Sequence, residues 1–201
     1  ALMADPAVPR RLDAVALDHF LHYQYIPAPM TIWRDARKLP PGHTLALENG
    51  ELKIAPYWDL DFRLKDGYAS SAEAEERFRQ IFDESVKLRL ISDVPLGAFL
   101  SGGIDSSAVV EAMARLTGRP VKTFSIGFEE AAYSELPHAR EIARRFGTDH
   151  RELVVKPRAL EILPALVRHY GEPFADASAV PTWYVSKMAR EDVTVALSGD
   201  G

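Results

Sequence analysis

The run Ser101-Gly102-Gly103-Ile104-Asp105-Ser106-Ser107 gathers hydroxyls, glycines and one carboxylate into seven residues. Paired glycines let the main chain turn tightly and bring amide N–H groups close to a ligand. Hydroxyls at Ser101, Ser106 and Ser107 can donate to phosphate oxygens. Asp105 would repel phosphate unless a cation lies between them, so its presence argues for Mg²⁺. A P-loop needs a lysine after its glycines, and a dinucleotide fingerprint needs G-x-G-x-x-G; both are missing here. Serines and an acid without a lysine suit holding pyrophosphate as a leaving group. The plainer alternative is a strand-to-helix turn in which Asp105 and Ser106 only cap the helix.

The flanking residues supply that strand and helix. Pro95-Leu96-Gly97-Ala98-Phe99-Leu100 is short and apolar, as a buried strand is, and Ala108-Val109-Val110-Glu111-Ala112-Met113 follows as helix. The positive end of the helix then points at the loop, a ready anion site. Apolar runs at 94–100, 121–128, 151–155 and 193–197 alternate with helical stretches near 106–117, 135–146, 158–170 and 181–190. This rhythm predicts an α/β fold, a parallel sheet covered by helices on both faces. Ligands sit beyond the carboxyl ends of such strands. Gly127 and the run Ser198-Gly199-Asp200-Gly201 should therefore meet the serine-glycine loop at one edge.

The first sixty residues read differently. Leu17, Phe20, Leu21 and Tyr25 form a helical stripe over 12–25, ended by Pro27 and Pro29. Asn49-Gly50 between alternating Leu45/Leu47 and Leu52/Ile54 predicts a hairpin. A helix and a hairpin are too little for a domain and read as the tail of one. Residues 60–70 are polar and suit a linker. Ser70 with Glu73 forms a capping box, after which Phe78, Ile81, Phe82, Val86 and Leu90 mark one face of a long helix.

Composition narrows the field. The net charge of −5 gives no broad basic surface for nucleic acid. The absence of cysteine excludes disulfides, thiolate zinc sites and a cysteine nucleophile within these 201 residues, and it suits a reducing cytoplasm. No stretch reads as a membrane span. The six histidines lack metal-ligand spacing and read as surface or capping residues. Glu129-Glu130 reads as a solvated pair, Tyr133-Ser134-Glu135 as a helix start capped by Ser134, and Trp33, Trp58 and Trp183 as packing residues. Glu172, beside Pro173 and Phe174, could face a substrate. A start at Ala1 and a stop just after an apolar run lead us to expect a piece of a longer chain.

Taken together, Val94 to Ser107, Thr123-Phe124-Ser125-Ile126-Gly127-Phe128, Phe146-Gly147-Thr148-Asp149-His150 and Ala196-Leu197-Ser198-Gly199-Asp200-Gly201 resemble the synthetase domain of glutamine-dependent asparagine synthetases. Arg37-Lys38-Leu39-Pro40-Pro41-Gly42-His43 resembles the end of that family's glutaminase domain. The resemblance implies residues 1–60 as the remnant of a glutaminase domain and 61–201 as the first part of an ATP pyrophosphatase domain, with the adenine nucleotide alpha hydrolase-like fold. It implies that ATP adenylates a side-chain carboxylate, releasing pyrophosphate, and that ammonia from the glutaminase domain of the same full-length chain attacks the acyl-adenylate. By carry-over, Ser101, Gly102, Gly103, Ser106 and Ser107 bind phosphates and Asp105 holds Mg²⁺. Phe99, Leu100 and Ile126 frame the adenosine. Ser198 and Gly199 complete the nucleotide site, with Asp200 beside the reacting group. The partners so implied are ATP and a small carboxylate, without nucleic acid or membrane, and a homodimer is allowed.

Two departures open a second acceptor. Asp200 stands where bacterial asparagine synthetases usually have Glu, and Asp176-Ala177-Ser178 replaces a segment that usually carries Arg. Both changes are at home in relatives that amidate sugar acids or other carboxylates of surface polysaccharides. The family's glutaminase nucleophile is an N-terminal cysteine, and a second metal-binding acid and a lysine lie beyond Gly201 in relatives. These residues alone are therefore expected to be inactive. A tRNA- or nucleotide-modifying pyrophosphatase and a non-catalytic nucleotide-binding module are the competing readings.

Overall fold

The computed structural model describes residues 2–63, 67–129, 134–156 and 159–200. The chain divides into two compact units, one of Ala1–Asp66 with Leu160–Ala177 and one of Gly67–Ala159 with Ser178–Gly201. Among the residues read above, Glu130, Tyr133, Arg158, Gly201 and part of the 60–70 linker lie outside the described residues.

In the first unit, helix α1 spans Ala14–Tyr23, and its cap is the Asp13 carboxylate, which accepts from the amides of Val15 and Ala16. Ala16, Ile26 and Ile32 are buried together, with Phe20, Met30 and Trp33 against them. Strands β1 (His43–Glu48) and β2 (Glu51–Pro56) pair antiparallel. Asn49 and Gly50 have φ of 52° and 85°, as the tight turn demands. Leu45 faces Ile54 and Leu47 faces Leu52 across the hairpin, yet all four are exposed. Trp58 is exposed as well, against its reading as a packing residue. Helix α5 (Ala159–Tyr170) leads to Glu172, whose carboxylate is bound by Lys38 Nζ at 2.6 Å. The same ammonium donates to the Ile26 carbonyl at 2.7 Å, and the Ala175 amide donates to the Gln24 carbonyl at 3.2 Å. Glu172 thus ties the residues after α5 to those after α1.

The second unit opens with helix α2 (Ser71–Arg89). Ser70 Oγ accepts from the Glu73 amide at 3.2 Å, and the Glu73 carboxylate accepts from Ala69 at 2.7 Å. Val86 is buried and Phe82 and Leu90 pack against the core, whereas Phe78 and Ile81 are exposed, so only the second half of the predicted face is covered. Strand β3 (Leu96–Phe99) and helix α3 (Ile104–Thr117) follow, then β4 (Lys122–Phe128), α4 (Leu136–Phe146), β5 (Asp149–Val155), α6 (Ala179–Ala189) and β6 (Val195–Leu197). The four strands form a parallel sheet in the order β5-β4-β3-β6.

Side chains alternate across it. Ala98 and Leu100 pack with Val109, Val110, Met113 and Ala139 on the α3 and α4 face. Phe124, with Phe99 and Ile126 beside it, packs with Val185, Met188 and Ala189 of α6 on the other. This is the predicted parallel sheet with helices on both faces. β5 begins at Asp149, two residues before the apolar run, because ladder pairing to β4 rather than hydrophobicity carries the strand through Asp149 and His150. Chain order reverses at β3: β4 and β5 build outward on one side and β6 pairs on the other. That reversal opens a crevice beyond β3 and β6, the usual ligand position in open parallel sheets.

Gly97 explains how closely β3 and β4 approach. A Cβ there would lie 2.8 Å from both the Lys122 carbonyl oxygen and Phe124 Cε2. We expect Gly97→Ala to cost about 1–3 kcal/mol by overpacking, measurable as a lowered urea midpoint at unchanged slope.

Candidate functional site

Beyond the carboxyl ends of β3, β4 and β6 lies a cavity of about 440 Å³. Ser101, Gly103, Asp105 and Ser106 line it from the loop after β3, and Ser198, Gly199 and Asp200 from the loop after β6. Phe99, Leu100, Phe124, Ile126 and Phe128 supply its sheet side, and Pro181, Thr182 and Val185 of α6 close it. Glu135, at the start of α4, adds a third carboxylate to those of Asp105 and Asp200.

The loop geometry follows from its residue types. Gly102 has φ of 87°, and a Cβ on it would sit 2.6 Å from His138 Cβ and 2.7 Å from the Ala139 nitrogen. No side chain fits there, and the first turn of α4 is the seat of the loop. Ser106 is buried. Its hydroxyl lies 2.9 Å from Ser101 Oγ, accepts from the Ser101 amide at 3.3 Å and donates to the Gly103 carbonyl at 3.3 Å. Ser106 therefore staples the loop closed. Gly103 is the N-cap of α3 and brings no capping side chain, so Asp105 and Ser106 do not act as caps. The positive end of α3 opens toward the cavity with its first-turn amides uncapped by any side chain, which suits an anion.

Gly199 closes the other side. A Cβ on it would lie 2.4 Å from the Ser106 nitrogen, so the two loops touch main chain to main chain. The Asp200 carboxylate accepts from Ser198 Oγ at 3.0 Å. Among the residues read as phosphate or nucleotide contacts, Gly102 and Ser107 do not line the cavity: Gly102 faces α4, and Ser107 Oγ is buried without a hydrogen-bond partner. Gly127 is also off the lining, packed against Leu136. Among the described residues no group of three or more His, Asp or Glu side chains could hold a metal alone. Isolated carboxylates beside an anion site fit Mg²⁺ held jointly with phosphate oxygens, the usual manner for that ion.

Sequence reading missed Glu135 and the α6 wall. Ser134 had the residue type of a cap, but the N-cap of α4 is Glu135, and it makes no side-chain cap bond. Pro181, Thr182 and Val185 follow a plain helical pattern, and only the packing of α6 on the sheet turns them toward the cavity.

A profile for asparagine synthase matches residues 77–201, more than half of the chain. The chain belongs to the asparagine synthase family. A glutamine amidotransferase domain profile matches residues 1–58. Glutamine-hydrolyzing asparagine synthetase 1 of Bacillus subtilis is 35% identical over 94% of this chain and 30% of its own length. A Methanocaldococcus jannaschii protein provisionally named asparagine synthetase 2 is 41% identical over 94% of this chain and 36% of its own. The chain thus spans about a third of the length of these curated relatives. Among solved structures, NMN synthetase from Francisella tularensis is similar at 16% identity and a TM-score of 0.45, over 63% of this chain and 54% of that one. Relatives named asparagine synthetase make this a family of ligase-type enzymes.

A polar chain runs from buried Thr123 on β4 across β5 to the exposed Arg140 on α4. The Thr123 hydroxyl lies 2.8 Å from both Thr148 Oγ1 and His150 Nδ1. His150 Nε2 is 3.1 Å from Glu152 Oε1, and Arg140 grips the same carboxylate through Nε at 2.9 Å and Nη2 at 2.7 Å. A carboxylate cannot donate, so Nε2 carries the proton and Nδ1 accepts from Thr123. Burial pushes the His150 pKa below its ordinary value, against the pull of Glu152. The hydrogen bond from Arg140 holds the Glu152 carboxyl below its own.

These shifts act in different windows. As pH falls below about 6.5, the unfolded histidine takes up its proton before folded His150 does, so stability is lost until the folded group also titrates. The Glu152 contribution is present above the ordinary carboxylate range and lost as pH falls through its depressed folded value. We expect His150→Gln to flatten the dependence of the urea midpoint on pH just below about 6.5 while keeping the acid limb in the carboxylate range.

Proposed function

We propose that this chain forms the nucleotide-activating part of a glutamine-dependent amidotransferase that uses ATP with Mg²⁺. The observation that carries this reading is the convergence of the uncapped α3 N-terminus and the Gly199 loop on one cavity holding Asp105 and Asp200. The first-turn amides of α3 hold pyrophosphate oxygens, and Ser101 and Gly103, bonded to each other and to Ser106, shape the loop that presents them. Phe99, Leu100 and Ile126, joined by Phe128 and Val185, offer an apolar wall for adenine, and Ser198 and Gly199 bound the ribose side. Asp105 would hold magnesium together with the nucleotide, and the cation would supply charge neutralisation for pyrophosphate as a leaving group.

In the reaction so proposed, a carboxylate oxygen of the acceptor attacks the α-phosphorus and the bond to pyrophosphate breaks. Ammonia then attacks the acyl carbon, a proton leaves its nitrogen, AMP departs and the amide remains. Asp200 lies on the cavity lining in the loop after β6, where it orients the reacting group. Residues 1–60 act as the end of a glutaminase domain that supplies ammonia, and 61–201 as the beginning of the synthetase domain. The complete reaction belongs to a longer cytoplasmic protein. Aspartate is the family default for the acceptor. The shorter Asp200 and the Asp176-Ala177-Ser178 segment favour a bulkier sugar acid as the second reading.

Titration calorimetry of the 201-residue chain with ATP and magnesium tests the site. We expect binding, weakened about tenfold in Asp105→Asn through loss of the charge that shares the cation. Equal affinity in the variant would remove Asp105 from the site. The chain alone is expected to release no ammonia-dependent pyrophosphate with aspartate or a uronic acid; detectable release would overturn the proposed inactivity.

A further inference from the structure

The seat of the serine-glycine loop is itself held by groups that do not line the cavity. Gly102 rests on His138 and Ala139, and the next residue is Arg140. Leu136, Ala139 and Ala143 are buried and fix the depth of α4 against the rest of the unit. Apolar contacts of small side chains are non-directional and resist sliding or rotation of a helix weakly. The Arg140–Glu152 fork is directional, because a planar guanidinium meets a carboxylate in one bidentate geometry. Glu152 in turn is aimed by His150, whose ring is held from behind by the fully buried Thr123. Glu152 does not line the cavity.

We propose that Glu152 is a positioning residue for the anion loop: by clamping Arg140 it sets the first turn of α4 and thereby the conformation of Gly102 and Gly103. This rests on the nucleotide reading of the cavity. The clamp acts on the phosphate side, so it supports the grip on pyrophosphate and leaves the apolar wall near α6 untouched.

The test uses the 201-residue chain, with Glu152→Gln and Arg140→Lys each removing the bidentate charge pair at nearly constant volume. Asp83→Asn serves as a control, since Asp83 makes a similar fork with Arg115 in the last turn of α3, away from the loop. Affinities for ATP, inorganic pyrophosphate and AMP are measured in magnesium, together with amide hydrogen exchange of the ligand-free proteins. The expected result is a loss of about fivefold for ATP and pyrophosphate in both clamp variants. AMP affinity should stay unchanged, and exchange should quicken over residues 102–107 as well as 136–140. Asp83→Asn should match the parent throughout. Unchanged pyrophosphate affinity in Glu152→Gln, or an equal loss for AMP, would overturn the positioning role, as would quickened exchange confined to α4. Failure of the parent chain to bind any of the three would instead remove the nucleotide reading; the exchange result would still decide whether the clamp orders the loop.

Discussion

Main chain meets main chain at the crevice beyond β3 and β6, and the absence of side chains there is what makes a site. Gly199 lies against the Ser106 amide nitrogen, and Gly102 against the backbone of His138 and Ala139. A methyl group at either position would push a loop outward, turning amides away from the cavity and opening the contact between the loops. The positive end of α3 is useful only because these two approaches hold it at the mouth of the sheet with no capping side chain over it. Hydroxyls then fix the detail, since Ser106 spends its hydrogen-bonding capacity on Ser101 and Gly103.

The strand β4 separates two kinds of surface by simple alternation. Phe124 and Ile126 face α6 and extend the apolar wall of the cavity. Ser125 is buried and donates to the Leu100 carbonyl, tying β4 to the last residue before the loop. Thr123 anchors His150 on the neighbouring strand. One strand thus serves the apolar wall through one face and the support of the loop through the other. Buried hydroxyls in such positions cost free energy unless they are paired, and Thr123 and Ser125 are paired in full view of a parallel ladder that fixes their partners in register.

Membership of the asparagine synthase family agrees with this architecture and sharpens what is particular to this chain. The first unit recruits Leu160–Ala177 from within the segment that the asparagine synthase profile matches. Lys38 and Gln24 hold that recruited segment through Glu172 and Ala175. The polypeptide therefore passes between the two units more than once, and a boundary drawn along the sequence does not describe how its residues associate.

Local patterns made much of this legible from the amino acids alone. Short apolar runs alternating with helical stretches determine a parallel α/β sheet, Asn49-Gly50 determines a hairpin, and Ser101 to Ser107 determine a tight loop before a helix, because each depends on neighbours in the chain. Tertiary structure decided what depends on distant partners. Ser107 had the residue type of a phosphate contact, yet its hydroxyl is buried off the cavity. Glu135, Pro181, Thr182 and Val185 carry no local signal and reach the cavity through the packing of α4 and α6. His150 looked like a surface histidine until the β4–β5 register set it beside Thr123. Register and helix placement are long-range quantities, set by burial summed over the whole unit, and no window of sequence contains them.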